Sequence, residues 1–183
     1  MIRYALMINV PGESPATYSK VYETQENYDL YVGTGDMDMA TELMKQLSEE
    51  GFEMVNLCGD FDDEIVQRFI KIGQGKIKVS AARYSPQELL KLEELTSLKE
   101  YGFISFMPSI EQIECLDLFS NECNTHVFLV RDLEMACEAA AKLIEMGADA
   151  IELCGWFDSL KTQAIIDAIH CKVPVGSCAY TNN

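Results

Sequence analysis

Apolar and polar residues follow a pattern along this chain that is written twice. Short apolar runs with strand-like spacing are separated by longer segments whose apolar residues recur every three to four positions, as on one face of a helix. In each half of the chain this pattern predicts four strands, each followed by a helix. The predicted strands lie near 3–10, 28–34, 53–59 and 76–83, and then near 100–107, 125–131, 149–155 and 172–179.

Residues typical of helix ends stand between the predicted strands. Aspartates are expected as N-caps and glycines as C-terminal caps at Asp36, Asp132, Gly51 and Gly147. The pairs Ser14-Pro15 and Ser85-Pro86 also predict helix starts, because serine caps a helix and proline suits its first turn. A helix is therefore expected between the first two strands of the chain, and another between its two halves.

The two halves are copies of one another. A shift of 96 positions aligns residues 36–84 with residues 132–180 without a gap, and roughly a third of the aligned residues are identical. The chain is therefore predicted to be an internal duplication within one domain. The predicted domain covers 1–183, with repeats 1–84 and 99–183 joined by an amphipathic helix over 85–98.

Strands that alternate with helices form parallel sheets joined by right-handed crossovers. Two copies of a four-strand unit would supply eight parallel strands. The predicted fold is therefore α/β, a compact, parallel (βα)8 barrel-like sheet built from two (βα)4 repeats. The alternatives are two four-stranded α/β lobes or an open doubly wound sheet.

A glutamate in the middle of a predicted strand favours the barrel over these alternatives. Side chains alternate along a strand, so Glu152 and Cys154 point to one face while Ile151 and Leu153 point to the other. In an open parallel sheet both faces lie under helices, where a carboxylate costs several kcal/mol unless it is paired. In a barrel the same side chain points inward, toward the mouth where active sites form.

Composition and charge exclude several classes of function. The 183 residues carry a formal net charge of −16, which argues against nucleic acids and anionic membranes as partners, because both attract lysine and arginine. No apolar run reaches the length of a membrane span. The seven cysteines form no CxxC pair and there are only two histidines. We therefore expect free thiols in a cytoplasmic protein, with no metal site and no cofactor.

The phrases "ELCGWF" and "KVPVG", followed by a tyrosine, resemble a family of short prokaryotic proteins described as a domain of unknown function. The resemblance covers each half nearly end to end, so it implies a tandem of that module, and it implies no activity. The first copy departs from the pattern with Asn56 in place of the glutamate. The family's Arg-Tyr ending is kept as Arg83-Tyr84 but replaced by Ala179-Tyr180 in the second copy. The resemblance thus implies specialised copies, with a composite site of Glu152 and Arg83 as a hypothesis.

Glu152 is the leading candidate for chemistry. A partly buried carboxylate can act as a general base or acid near neutral pH, because burial raises its pKa. The alternative is a structural carboxylate held by backbone amides or by a lysine such as Lys172. Cys154 and its counterpart Cys58 are weaker candidates for nucleophiles, because no histidine has a matching repeat position and a buried apolar role explains both.

Several residues near strand ends are candidates for ligand binding: Asn9, Asn56, Gly59, Arg83, Tyr84, Gly155, Trp156 and Tyr180. The turns at Gly59 and Gly155 resemble phosphate-binding turns, but aspartates at the following helix starts would repel anions. Arg83 suits a carboxylate or phosphate, although strand alternation turns it away from the predicted pocket. Trp156 could stack on a ligand, whereas His126 is expected in the core.

Three classes of function remain. The first is a metal-independent enzyme that acts on a small metabolite by proton transfer, of the isomerase or lyase type, at the C-terminal face of the strands. The second is a non-catalytic small-molecule binding module. The third is a structural or assembly protein, with pairing into a homodimer as an open alternative. The enzyme is named first because of the predicted fold and the carboxylate, which leaves open whether the chain is an enzyme at all.

Overall fold

The computed structural model describes residues 1–180. Its contacts divide the chain into two compact units, Met1–Ala81 and Ala82–Asn183. Within the described residues the chain is a mixed α/β protein with ten strands and five helices, and each unit has a five-stranded sheet of its own. The last three residues of the predicted second repeat, 181–183, lie outside the described residues.

The first unit contains five strands and two helices. Its sheet has the order β2-β3-β1-β4-β5, in which β2 pairs antiparallel with β3 and the other neighbours are parallel. In chain order the elements are β1 (Ile2–Asn9), β2 (Ser19–Glu23), β3 (Asn27–Thr34), α1 (Met37–Glu49), β4 (Met54–Leu57), α2 (Asp63–Gly73) and β5 (Lys78–Ala81).

The second unit repeats this topology and adds one helix before it. Its sheet has the order β7-β8-β6-β9-β10, again with one antiparallel pair, β7 with β8, at one edge. The elements are α3 (Pro86–Glu93), β6 (Glu100–Phe106), β7 (Glu114–Leu118), β8 (Asn124–Val130), α4 (Leu133–Glu145), β9 (Ala150–Leu153), α5 (Ser159–Ala168) and β10 (Val175–Ser177).

The helix ends follow the sequence signals closely. Asp36 and Asp132 cap α1 and α4, each accepting a hydrogen bond from the backbone N–H three residues on. Gly51 and Gly147 follow these helices with φ of 78° and 85°, a left-handed conformation that glycine adopts without steric penalty. These four predictions are confirmed, because capping depends on local chemistry that a short stretch of sequence contains.

The predicted eight-stranded parallel barrel is wrong. The described strands form two sheets rather than one, and an antiparallel strand ends each sheet at one edge. The alternative of two α/β lobes describes the sheets better, although each has five strands and not four. The argument from Glu152 failed because it assumed helices on both faces of an open sheet.

The helix predicted to start at Ser14-Pro15 is also absent from the described residues. Residues 14–17 form a turn, in which the N–H groups of Thr17 and Tyr18 both donate to the Ser14 carbonyl, and the edge strand β2 follows. A Ser-Pro pair starts a turn as well as a helix, because proline also suits the second position of a β-turn. At Ser85-Pro86 the prediction is confirmed, and α3 begins there with Ser85 as its N-cap.

The unit boundary does not coincide with the repeat boundary. The first repeat was predicted to end at residue 84, but the contacts place residues from Ala82 onward in the second unit. Arg83, Tyr84 and α3 therefore belong structurally with the second sheet. Whether the whole chain behaves as one domain stays a prediction.

In the second unit, α4 and Glu152 lie on opposite faces of the sheet. A Cβ atom at Gly102 would lie 2.7 Å from the side chain of Leu143, so Gly102 faces α4. Glu152 is in register with the next residue of β6, Phe103, and with Gly176 of β10. Because neighbouring residues of a strand point to opposite faces, Glu152 points away from α4.

Candidate functional site

Glu152 is buried in the middle of β9, with both carboxylate oxygens hydrogen-bonded by tyrosines. Only 4% of the surface of Glu152 is exposed to solvent. The Tyr101 hydroxyl donates to Oε2 at 2.6 Å, and the Tyr84 hydroxyl donates to Oε1 at 2.7 Å. Hydrogen bonds to a carboxylate of this length are charge-assisted and stronger than bonds between neutral groups. These three residues form what we call the Glu152 cluster.

Gly176 makes room for one of these tyrosines. A Cβ atom at this position would lie 2.8 Å from the ring of Tyr84, closer than side-chain atoms pack. Glu152 and Gly176 are opposite one another in the β9–β10 pair. The absence of a side chain on β10 thus lets the Tyr84 ring lie beside the strand and reach the carboxylate.

Tyr84 is carried to this position by the segment that crosses the edge of β10. Arg83 and Ser177 form an isolated antiparallel bridge, with N–H to carbonyl distances of 3.0 Å and 2.9 Å. Beyond Tyr84, α3 carries Glu88, whose carboxylate accepts the N–H of Val175 at 2.9 Å. Tyr84, which was predicted as a ligand-binding residue, thus lies beside the carboxylate. Its role in binding stays a prediction, and nothing in its sequence position indicated that it would meet Glu152.

The Glu152 cluster can hold and exchange a proton. A carboxylate is the proton acceptor, and a tyrosine hydroxyl can both donate and accept a hydrogen bond. Glutamate and tyrosine are among the side chains that serve as general acids and bases when they are placed within hydrogen-bond reach of a substrate. The arrangement also fixes the carboxylate in one orientation, which a binding site needs as much as a catalytic one.

The first unit has a neutral version of the same cluster. The Tyr4 hydroxyl donates to Asn56 Oδ1 at 3.0 Å, and Asn56 Nδ2 donates to Ser80 Oγ at 2.9 Å. Tyr4, Asn56 and Ser80 are the repeat counterparts of Tyr101, Glu152 and Gly176. A serine at the last position supplies a partner for the amide where glycine supplies room for Tyr84.

A second buried carboxylate lies in the first unit, and the sequence analysis missed it. Asp29 in β3 is 3% exposed, and the Tyr31 hydroxyl lies 3.2 Å from its Oδ2. Its Oδ1 has no hydrogen-bond partner among the described residues. Burial raises the pKa of Asp29 to about 7, and the hydrogen bond from Tyr31 offsets part of that rise. An aspartate inside the apolar run of a predicted strand was the signal that could have found it.

The two candidate cysteines accept hydrogen bonds from the backbone. Cys58 Sγ accepts the N–H of Asn9, and Cys154 Sγ accepts the N–H of Phe106, both at 3.3 Å. Both cysteines are buried, at 5% and 6% exposure. The same contact in both units joins the end of one strand to the turn after its neighbour, so the geometry favours a structural role over a nucleophilic one.

Aromatic residues surround the turn after β9. The ring of Trp156 stacks on Phe106 with centroids 4.2 Å apart and planes 5° apart, and Lys161 Nζ lies 4.7 Å from the Trp156 ring centroid. In the first unit the corresponding residues are Asp60 and Asn9, whose side chains hydrogen-bond each other. Trp156 and Asn9 therefore both make contacts inside their own units, and neither faces Glu152 in a described contact.

The turns at Gly59 and Gly155 do not have the geometry of phosphate sites, because an aspartate side chain already accepts a backbone N–H at the start of each following helix. Asp62 Oδ1 accepts the N–H of Ile65 at the start of α2, and Asp158 Oδ1 accepts the N–H of Lys161 at the start of α5. A carboxylate thus occupies each helix N-terminus next to Gly59 and Gly155, as the capping interpretation predicted.

The structure places Tyr180 after β10, where its N–H donates to the Ser177 carbonyl at 3.4 Å.

His126 is buried and held between two carboxylates. Its Nδ1 lies 2.6 Å from Asp117 Oδ1, and its Nε2 lies 2.8 Å from Glu100 Oε2. Burial acts to lower the pKa of the imidazole, but the hydrogen bonds and charges of Asp117 and Glu100 outweigh it and raise the pKa above its ordinary value. Because His126 is in register with Gly102, it lies on the α4 side of the sheet, away from Glu152.

The described residues contain neither a cluster of side chains suited to a metal ion nor a helix suited to a membrane. Among residues 1–180, no group of three or more His, Cys, Asp or Glu side chains is arranged to hold a metal ion. In the same part of the chain, no helix is long and apolar enough to cross a membrane. A groove of about 370 Å³, lined by Pro15 and residues of α1, contains none of the predicted site residues.

Sequence comparison assigns the chain to a family. The profile of the Family of unknown function (DUF6506) matches residues 2–97 and matches again over 99–183. The chain belongs to this family. It contains two tandem DUF6506 modules, as the internal repeat predicted, and the first match includes Tyr84 and α3. The Glu152 cluster thus combines residues from both DUF6506 modules within one structural unit.

Comparisons with characterised proteins add little to this assignment. No curated protein matches the sequence. A solved structure, the solute-binding protein of an ABC transporter system from Conexibacter woesei, is similar at 14% identity and a TM-score of 0.32. The match covers 96% of this chain and 69% of that one. A similarity of this size carries no argument about the fold or function of the DUF6506 tandem.

Proposed function

We propose that the second unit is a metal-independent enzyme that transfers a proton to or from a small polar metabolite at the Glu152 cluster, in a reaction of the isomerase or lyase type. The observation that carries the proposal is the pair of tyrosine hydroxyls on the two oxygens of one buried carboxylate. A charged group is rarely buried in a strand without a use, because burial costs several kcal/mol.

The three residues divide the work according to their burial. Tyr101 is 3% exposed and its bond to Glu152 is fully buried, so it holds the carboxylate in place. Tyr84 is less buried, and its bond is the one that a ligand hydroxyl or amine can replace. Glu152 then accepts a proton from the ligand at Oε1 and becomes a neutral carboxyl group, while the negative charge passes to the ligand. The Tyr101 hydroxyl continues to donate to Oε2 and holds the group in place.

The second candidate function is a binding module without turnover. The observation that favours it is that both oxygens of Glu152 already accept hydrogen bonds from the protein, as a carboxylate built for recognition would. A ligand that replaces Tyr84 gains one charge-assisted hydrogen bond and needs no proton transfer. The two candidates share the site and differ only in whether a covalent bond to hydrogen is made and broken.

Deuterium exchange distinguishes the two candidates. The protein is incubated in D2O with a panel of small carbonyl compounds (α-keto acids, β-keto acids, aldoses and ketoses), and the loss of C–H signals is followed by proton NMR. An enzyme of the proposed type exchanges a proton next to the carbonyl of at least one compound. Glu152→Gln abolishes that exchange, because the amide accepts no proton at neutral pH.

Glu145→Gln is the matched control, since it removes an exposed carboxylate on α4 of the same unit. The control is expected to exchange at the wild-type rate. If no compound exchanges but one raises the melting temperature of the wild type and not of Glu152→Gln, the binding module is correct. If no compound does either, both candidates fail for this class of ligand.

Location and assembly belong to the same proposal. A cytoplasmic location is supported by the sequence of the seven cysteines, which are odd in number and form no CxxC pair, as expected in a reducing compartment. Pairing into a homodimer stays a prediction, and sedimentation velocity of the full chain tests it. Nucleic acids remain unsuitable partners in this proposal because of the net charge of −16.

A further inference from the structure

A ligand cannot reach Glu152 unless something moves. The residue is 4% exposed, and Tyr84 and Tyr101 cover its two oxygens. Tyr101 lies within the sheet on β6, so its displacement would break strand pairing. Tyr84 lies outside the sheet, on the segment between Ala82 and Glu94, which we call the strap. The strap is therefore the element whose movement would expose the carboxylate at the lowest cost.

The described contacts that join the strap to the sheet include the Arg83–Ser177 bridge, the Tyr84 hydrogen bond to Glu152 and the short helix α3. Arg83 pairs with Ser177 through two backbone hydrogen bonds, whereas β9 and β10 pair over three residues. Helix α3 has eight residues, and Glu88 is the one residue of that helix that is buried. A helix that docks by packing buries an apolar stripe instead. Here Leu89 and Leu90 are 44% and 63% exposed.

Polar contacts hold α3 in place. Glu88 Oε2 accepts the N–H of Val175 at 2.9 Å, while its Oε1 lies 2.6 Å from Lys91 Nζ. Lys91 also reaches the carbonyls of Cys171 and Val173, at 3.4 Å and 3.5 Å. Water can replace each of these polar partners when the helix lifts. We call the Glu88 contacts with Val175 and Lys91 the latch.

We propose that the strap opens as a unit while the sheet stays folded, and that the space vacated by the Tyr84 ring beside Gly176 is the ligand site. The inference rests on the proposed function at Glu152 and names the class of ligand. That space is the size of a phenol ring, because Gly176 has no side chain and the ring now fills it. The fitting ligand is planar and carries a hydroxyl or amine that donates to Glu152 Oε1.

Amide hydrogen exchange measured by NMR tests the opening of the strap. The N–H groups of Arg83, Val175 and Ser177 donate hydrogen bonds between the strap and β10. The N–H groups of Ile151 and Cys178 donate hydrogen bonds between β9 and the β10 segment. The strap amides are expected to exchange at least ten-fold faster than the sheet amides. Glu88→Gln removes the charge of the latch and speeds the strap amides by about a further ten-fold, the change expected when a charge-assisted hydrogen bond weakens.

The controls separate strap opening from general loss of stability. Glu93→Gln changes an exposed glutamate of the same helix and is expected to leave all five rates unchanged. The Ile151 and Cys178 amides exchange only when the sheet unfolds, so they should remain at least ten-fold slower than the strap amides in Glu88→Gln as well as in the wild type. Equal rates for all five amides in the wild type, or in Glu88→Gln, would overturn the strap, because exchange of the strap amides would then require unfolding of the sheet.

Rescue by a small phenol tests the ligand site. Tyr84→Ala empties the space beside Gly176, and p-cresol is a tyrosine side chain without a backbone. We expect millimolar p-cresol to raise the melting temperature of Tyr84→Ala by several degrees, and toluene, which lacks the hydroxyl, to have a much smaller effect. An equal response to toluene and p-cresol, or no response to either, would overturn the ligand class. Strap opening without deuterium exchange in any of the carbonyl compounds would overturn the enzyme proposal for that class of ligand and leave the strap standing.

Discussion

The two units share a topology, and one difference between them is the charge at the centre of one strand. Both sheets have the same strand order, the same aspartate caps and the same cysteine that accepts a hydrogen bond from a neighbouring strand. In β4 of the first unit, Asn56 donates a hydrogen bond to Ser80. At the matching position in β9 of the second unit, Glu152 lies opposite Gly176. The amide needs a partner on the next strand, whereas the carboxylate draws its second partner from Tyr84.

The difference shows which residues the fold requires and which are free to change. Caps and cysteines that satisfy backbone groups are the same in both units, because every copy of the topology leaves the same groups unpaired. Residues at the strand ends differ between the units. Phe106 and Trp156 stack in the second unit, whereas Asn9 and Asp60 hydrogen-bond each other in the first. The side chains at these positions therefore differ between the two copies, whereas the side chains that hydrogen-bond backbone groups are the same.

The largest effect is expected at Asp29, the carboxylate that only the first unit has. Its pKa of about 7 exceeds the ordinary value of 3.8, so the folded state binds the proton more tightly than the unfolded state. This stabilisation is fully present below pH 4 and is lost as the pH rises through 7. The loss approaches about 4 kcal/mol, because each pH unit between the unfolded and folded pKa values contributes about 1.4 kcal/mol. Urea unfolding between pH 4 and pH 8 measures it.

Asp29→Asn isolates this effect, because the amide does not titrate. The variant is expected to be more stable than the wild type at pH 8, and the difference should shrink toward pH 4. Tyr31→Phe removes the hydrogen bond that lowers the pKa of Asp29, so the folded pKa rises and the loss should extend to higher pH. Parallel stability profiles for Asp29→Asn and the wild type would show that Asp29 does not titrate in this range.

The next effect comes from giving the second unit the serine of the first. In Gly176→Ser the new side chain meets the Tyr84 ring, since even its Cβ would lie 2.8 Å away. Overpacking of this kind destabilises by about 2 kcal/mol. The reverse change, Ser80→Gly, removes only a hydrogen bond to Asn56 and is expected to cost about 1 kcal/mol. Urea unfolding of each variant gives both values.

A double-mutant cycle shows whether the clash is the cause. Tyr84→Ala removes the ring, so Gly176→Ser should destabilise much less in that background than in the wild type. The coupling between the two positions is expected to exceed about 1 kcal/mol, the size found for residues in direct contact. Additive effects would mean that Gly176 is needed for the conformation of β10 and not for the position of Tyr84.

A smaller effect of opposite sign is expected for Glu152→Gln. The change removes a buried charge but keeps an oxygen that accepts one tyrosine hydroxyl, so we expect stability to rise by about 1 kcal/mol at pH 7, as at other functional positions. Glu88→Gln is the comparison, because Glu88 bonds the Val175 N–H and pairs with Lys91 and should lose stability. Melting temperatures that fall in both variants would make Glu152 a structural carboxylate.

Sequence alone predicted the features that depend on local or repeated signals. The duplication, the caps at Asp36 and Asp132 and the eight buried strands follow from periodicity and short motifs. The edge strands β2 and β7 were missed because neither has a clear apolar alternation. Strand β2 is mostly exposed, with Val21 at 43%, and β7 is mostly half-buried. The barrel followed from counting those eight strands as parallel, without the antiparallel strand that ends each sheet.

The candidate site was predicted in part for the same reason. Glu152 was visible as a charge inside an apolar strand, and Asp29 gave the same signal but was overlooked. The partners of Glu152 were not predictable, because Tyr101 and Tyr84 lie 51 and 68 residues away and reach it only through strand order and the strap. A pattern along the chain contains no information on which distant tyrosine meets which strand.

The smallest effect is expected at His126, which joins carboxylates of the second unit only. Its raised pKa means that the folded state favours the charged ring, so its contribution is fully present below the unfolded pKa of 6.5 and is lost as the pH rises through the folded value. Asp117 and Glu100 are 39% and 31% exposed, so solvent screens the pair and limits the effect to less than about 1 kcal/mol. His126→Gln in an Asp29→Asn background removes the remaining pH dependence between pH 6 and pH 9, measured by urea unfolding. His170→Gln, at an exposed position of the same unit, should leave it unchanged. An unchanged pH dependence in His126→Gln would show that it arises elsewhere and that the contacts of His126 with Asp117 and Glu100 contribute nothing measurable to stability.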